Sequence, residues 1–127
     1  MNSLRTPLAR AKGHGSAKEG TDHFWAHRLT AIALIPLCIW FCFSLASMPS
    51  MDYATFTAWL SRPFTAIMMI SVVIASFYHA SLGLQVILED YVSQKGIRTG
   101  AIIAVKMLCL FLAITGVFSI IKISLGS

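Results

Sequence analysis

His79 is the residue whose type and position most strongly suggest chemistry. It is the one group titrating near neutral pH in Phe64 to Leu88, 25 residues without an Asp, Glu, Lys or Arg. An ionisable side chain inside such a run is a candidate for function. With Glu89 at the membrane edge, His79 sits about 15 Å deep, near the middle of a roughly 30 Å hydrocarbon core. A neutral imidazole at that depth acts as a metal ligand or as a hydrogen-bonding group. At about 100° per residue, Val72, Ala75, Ser76, Leu82, Gly83 and Val86 lie within about 60° of it on the helix wheel. Ala75, Ser76 and Gly83 are small and bracket the histidine by one turn. A flat macrocycle bonded to the ring nitrogen needs that clearance, and haem commonly takes a histidine as axial ligand. Small residues equally let two helices pack closely, with His79 bonding across the interface. From these residues alone both readings stay open.

Two other groups carry weaker signals. Glu89-Asp90-Tyr91 ends the apolar run. Asp90 lies eleven residues past His79, on nearly the same helix face, and Tyr91 lies about 18 Å along the axis from it. A phenol donates a hydrogen bond and suits a quinone carbonyl, with the adjacent carboxylates delivering protons. Acids and tyrosine also simply mark membrane boundaries. In Asp22-His23-Phe24-Trp25-Ala26-His27-Arg28, the two histidines have a two-ligand spacing, but no third ligand is apparent. Phe24 and Trp25 read as interfacial anchors. Arg28 suits a carboxylate such as a haem propionate, or a lipid phosphate. His14, His23 and His27 all fall on the N-terminal arm or at its junction with the first span, so no second histidine is expected at the depth of His79. A haem with two histidine ligands would then take its second from another chain. Cys38, Cys42 and Cys109 lie in apolar runs and read as packing residues.

The elements that must position these groups follow from composition and patterning. Of 127 residues, 57% are hydrophobic and 12% charged, against about 25% charged in soluble domains. That argues against a soluble enzyme, a disordered tail or a disulfide scaffold. The expected fold is an all-α membrane protein with three transmembrane helices, spanning about 29–48, 64–88 and 101–125. Leu29 to Met48 is 20 uncharged residues, enough to cross, with Pro36 as a possible bend. Ala101 to Leu125 carries Lys106 and Lys122 towards its ends, with 15 uncharged residues between them. Both can snorkel to headgroups. Between the first two spans, Tyr53, Phe56 and Leu60 predict a short surface helix. Residues 1–23, with Pro7 and three glycines, form a basic arm, and 24–127 the membrane domain.

Arg5, Arg10, Lys12, Lys18 and Arg28 crowd the N-terminal 28 residues, Lys95 and Arg98 fall in the 89–100 loop, and the 49–63 connector has only Arg62. That bias puts the N-terminus and the second loop in the cytoplasm and the C-terminus outside. No aromatic residues interleave with the basic ones as nucleic-acid binding would require, so lipid is the expected partner of the arm.

The run His79-Ala80-Ser81-Leu82-Gly83-Leu84-Gln85-Val86-Ile87-Leu88-Glu89-Asp90-Tyr91-Val92 resembles the H-A-x-x-G-x-x-x-x-x-x-D-Y signature of the D-type hydrophobic membrane anchors of succinate dehydrogenase. Arg28-Leu29-Thr30-Ala31 resembles the R-x-T-A motif that opens the first span of that family. The resemblance implies a non-catalytic anchor for a flavoprotein and an iron–sulfur subunit, paired with a second, C-type anchor subunit. It implies a b-type haem between the two anchors, with His79 as this chain's axial ligand and Arg28 near the propionates. It further implies a ubiquinone-reduction site with Tyr91 on the quinone and Asp90 beside it. The expected location is a bacterial inner membrane rather than a mitochondrial one. The alternatives are a fumarate reductase-type anchor using menaquinone, and a haem-free membrane scaffold or transporter subunit.

Overall fold

The structure is a computed structural model describing residues 4–15 and 19–126, with Glu19 described by its backbone alone. Lys18 of the basic arm lies outside the described residues. Five helices follow one another: α1 Pro7–Lys12, α2 Glu19–Ala46, α3 Tyr53–Leu60, α4 Pro63–Tyr91 and α5 Lys95–Ser124. No strand occurs among the described residues. Three of these helices, α2, α4 and α5, are long and apolar enough to cross a membrane.

The helix boundaries have local causes. Thr6 caps α1 by accepting from the Ala9 amide (3.1 Å), and Pro7 supplies a first-turn residue with no amide hydrogen to satisfy. The arm therefore holds a short helix. α2 starts at Glu19, ten residues before the uncharged stretch, and runs unbroken through Pro36. Asp52 caps α3: its carboxylate accepts from the Thr55 amide (2.7 Å) and the Ser50 hydroxyl (2.6 Å). The Ser50 hydroxyl, more than the amide, holds that carboxyl below its ordinary range. Pro63 opens α4, and only residues 92–94 separate α4 from α5, which forces the two to run antiparallel.

α4 is the middle element. It packs against α2 and α5, while α2 and α5 do not pack on each other. Such an open layer buries little. Among the described residues only Leu60, Thr65, Ala66, Ser81, Leu82, Cys109 and Ile120 are buried. Leu60, Ala66 and Ile120 gather where α3 tucks under the start of α4 and the end of α5, with Phe56, Trp59, Met69, Ile70, Val73 and Ile123 around them. Trp40 stacks on Trp59 (5.8 Å between centroids) and meets Phe64 edge-on, tying α2 to the same corner. Ile32, Ile35, Ile39 and Phe43 on α2, and Met107, Phe111, Ile114 and Phe118 on α5, remain exposed. In lipid such faces carry no penalty, so association there rests on close fit instead.

That fit is tightest at Gly116. A Cβ there would lie 3.0 Å from Val73 Cγ1, whereas one at Gly100 would meet nothing within 4 Å. Gly116→Val should push α5 off α4 and cost about 1–3 kcal/mol, the usual range for overpacking. Gly100→Ala should be neutral or slightly stabilising. Thermal unfolding of the membrane-extracted complex tests the pair, and equal behaviour of the two variants would contradict the packing. In the connector, Asp52 has a lowered carboxyl, so its capping contribution is present above the ordinary carboxylate range. That contribution is lost as pH falls through the depressed value.

Candidate functional site

The site forms where α2 crosses α4. Thr30 Oγ1 lies 3.0 Å from His79 Nδ1. The same hydroxyl donates back to its own helix, to Ala26 O (2.9 Å) and His27 O (3.0 Å). The contact engages Nδ1 of the ring. Of the described histidine ring nitrogens, only His23 Nε2 is both buried and without a partner. His79 Nε2 therefore reaches the surface of the chain. A histidine held through Nδ1 with its other nitrogen open can serve as a metal ligand, its ring angle set by the hydroxyl.

His27 is a finding that contradicts the expectation of a solitary deep histidine. Its ring stacks on His79 at 4.5 Å with the planes 12° apart, and His23 stacks on His27 at 6.5 Å. The physical reason is the early start of α2. Because helix begins at Glu19, His27 is one turn before Thr30 on an antiparallel neighbour, level with His79 rather than on a trailing arm. The stacking also limits what His27 can do. Two axial ligands of one iron point their nitrogens at each other across the macrocycle, and rings lying face to face at 4.5 Å do not. Among the described residues no three His, Cys, Asp or Glu side chains gather as a metal site.

The fit to a haem is favourable on chemical grounds: an open nitrogen on a ring held at its other nitrogen, and room beside it. Gly83, one turn along on the same face of α4, has nothing within 4 Å of where a Cβ would stand. Ala75 and Ser76, a turn the other way, are half-buried. Leu82 is buried.

Arg28 is exposed, its guanidinium 5.1 Å from the centroid of the Phe24 ring. It stands next to His27 in sequence, so α2 brings it to the level of His79. Asp90 and Tyr91 end α4, and Tyr91 is 84% exposed. They stand about 16–18 Å along the axis from His79, too far for contact, so the structure leaves two separate places on one helix. Glu89 accepts from Gln85 Nε2 (2.8 Å), while Gln85 Oε1 is buried without a partner among the described residues. Thr30 and the stacking of His27 were missed from sequence. Thr30 stood inside the quoted motif, but its role needs the antiparallel neighbour to be seen.

Residues 2–117 match the family described as succinate dehydrogenase/fumarate reductase transmembrane subunit. The succinate dehydrogenase hydrophobic membrane anchor subunit of Rickettsia bellii is 38% identical over 82% of this chain and 83% of its own length. The protein of the same name from Rickettsia conorii is 32% identical over 84% of this chain and 86% of its own. That of Paracoccus denitrificans is 32% identical over 96% and 94% respectively. With three membrane-length helices and a match along nearly its whole length, this chain belongs to the succinate dehydrogenase/fumarate reductase transmembrane subunit family.

Proposed function

We propose that this chain is the D-type hydrophobic membrane anchor of a succinate:quinone oxidoreductase, sharing a b-type haem with a second anchor subunit and forming part of the ubiquinone-reduction site. The observation that carries the haem assignment is the Thr30–His79 contact of 3.0 Å, which leaves Nε2 as a free donor in the middle of a membrane-length helix. The names of the relatives favour succinate oxidation over fumarate reduction. Their bacterial sources suit a multi-pass protein of the inner membrane. The basic arm and the α4–α5 loop then lie on the cytoplasmic side.

His79 and Thr30 act together in this reading. The threonine holds the imidazole through Nδ1, and the imidazole would present Nε2 to the iron of a haem. A haem held there would supply storage and transfer of single electrons. Arg28 is placed on α2 to pair with a carboxylate at the level of His79. His27, stacked on the ligand, fixes the ring plane. Reduction of a quinone takes two electrons and two protons. Tyr91 donates a hydrogen bond to one carbonyl, while Asp90 and Glu89 stand beside it as proton donors towards water. This chain supplies position and protons. Succinate oxidation, flavin and iron–sulfur clusters belong to the partner subunits, so the anchor by itself is not an enzyme.

Replacing His79 by Ala should abolish the b-type absorbance of the purified complex. Thr30→Val keeps the shape of the side chain and removes the hydroxyl, so haem affinity should fall about 10–100-fold, as for other groups that orient a ligand. Thr30→Ser should restore it. Haem per complex, read from the absorption spectrum at equal subunit content, decides the matter. Unchanged haem in His79→Ala would reject the ligand assignment.

A Cβ at Gly83 would meet nothing within 4 Å in this chain, so Gly83→Val should leave chain abundance in the membrane intact while lowering haem content. Equal haem in the variant and the parent would mean the space beside His79 is not used.

Tyr91→Phe should slow quinone reduction by about 100-fold or more, while succinate oxidation with a soluble artificial acceptor survives. Parallel loss of both activities would point to assembly instead.

A further inference from the structure

We propose that the groove between α4 and α5 binds one anionic phospholipid, with its phosphate on Lys106 and an acyl chain along the groove. The cavity is about 420 Å³ and is lined by Ile74, Phe77, Tyr78 and Leu82 of α4 and by Lys106, Leu110 and Ala113 of α5, among others. It does not belong to the histidine site. At about 100° per residue, its α4 lining points on average roughly 130° away from His79.

Its chemistry is that of a lipid. Apolar side chains form the walls, and one cation stands at one end. Lys106 is exposed, and among the described residues it makes no hydrogen bond or ion pair. Glu89, the acid further along the same side of α4, is engaged by Gln85. The lysine stands five residues inside the apolar run that begins at Ala101, about 8 Å along the axis, within snorkelling reach of the loop-side headgroups and about 24 Å from Lys122. A lone ammonium within a membrane-length helix is costly and calls for a counter-charge. The lining descends from Lys106 to Ala113 on α5 and from Leu82 to Ile74 on α4, away from the α4–α5 loop. A lipid phosphate drawn down from the loop side meets the ammonium, and its chain then follows that direction. The excess of Lys and Arg on the arm and on the loop favours anionic lipids in that leaflet. This inference needs no haem, and it stands or falls separately from the ligand role of His79.

The test uses the assembled complex extracted from its membrane. Phosphatidylglycerol and phosphatidylcholine are supplied in nanodiscs at equal amounts, and retained lipid is counted by native mass spectrometry after detergent exchange. The parent should hold phosphatidylglycerol in preference to phosphatidylcholine. Lys106→Gln should weaken that retention about tenfold or more, and Lys106→Arg should keep it. Ala113→Phe, which fills the groove and spares the cation, should also release the lipid. This second variant keeps the test decisive if Lys106→Gln fails to assemble. Equal retention of the two lipids, or phosphatidylglycerol held equally by parent and variants, overturns the proposal. So does a zero-length carbodiimide cross-link from Lys106 to a carboxylate of a partner chain, which would make the counter-charge a protein acid.

Discussion

One hydroxyl contact governs the centre of this protein. Thr30 is bonded to the backbone of its own helix at Ala26 and His27, and the same oxygen lies 3.0 Å from His79 Nδ1. The helix backbone thus sets the threonine, the threonine sets the imidazole ring, and Nε2 is left facing outward. Serine and threonine often back-bond in this way in helices, where the bond costs or contributes little. Here it has a structural consequence, because the same oxygen reaches across to α4.

The rest of the architecture serves to hold α2 and α4 at that crossing in a solvent that supplies no hydrophobic force between helices. Packing must come from shape and from corners. The corner is the cluster of Leu60, Ala66 and Ile120, with Trp40 stacked on Trp59, at the end of the bundle far from the basic arm. The shape is Gly116 against Val73, where the missing Cβ lets α5 approach. Because α4 alone touches both neighbours, the histidine it carries is braced on one side by α2, while α5 stiffens the opposite side. The wide apolar faces left on α2 and α5 suit lipid and further membrane subunits. An outward-facing histidine nitrogen and a sparse core both suit a membrane subunit that works within a larger assembly.

Much of this was legible in the residues. The three long helices follow from uncharged runs, since in a bilayer each backbone polar group must be satisfied within its own segment. The short α3 follows from the spacing of Tyr53, Phe56 and Leu60 and from Asp52 ahead of them. His79 stands out because ionisable groups are scarce where water is scarce. The start of α2 was not legible. Glycines, charges and histidines ahead of Leu29 look like a solvated arm, yet helix once nucleated extends outward past the apolar part, as it does from Glu19.

The pairing of Thr30 with His79, and of His27 with both, was hidden for a different reason. Forty-nine residues separate Thr30 from His79, and no local periodicity relates them. The sequence by itself determined what each segment is: an apolar helix of membrane length, a histidine halfway along it, a tyrosine and two acids at its mouth. Those properties are local, arising from side-chain solvation and backbone hydrogen bonds within one stretch of chain. Only the tertiary structure decided which nitrogen of that histidine is engaged and which is open, because the hydroxyl at Nδ1 is brought in by another helix at one particular register.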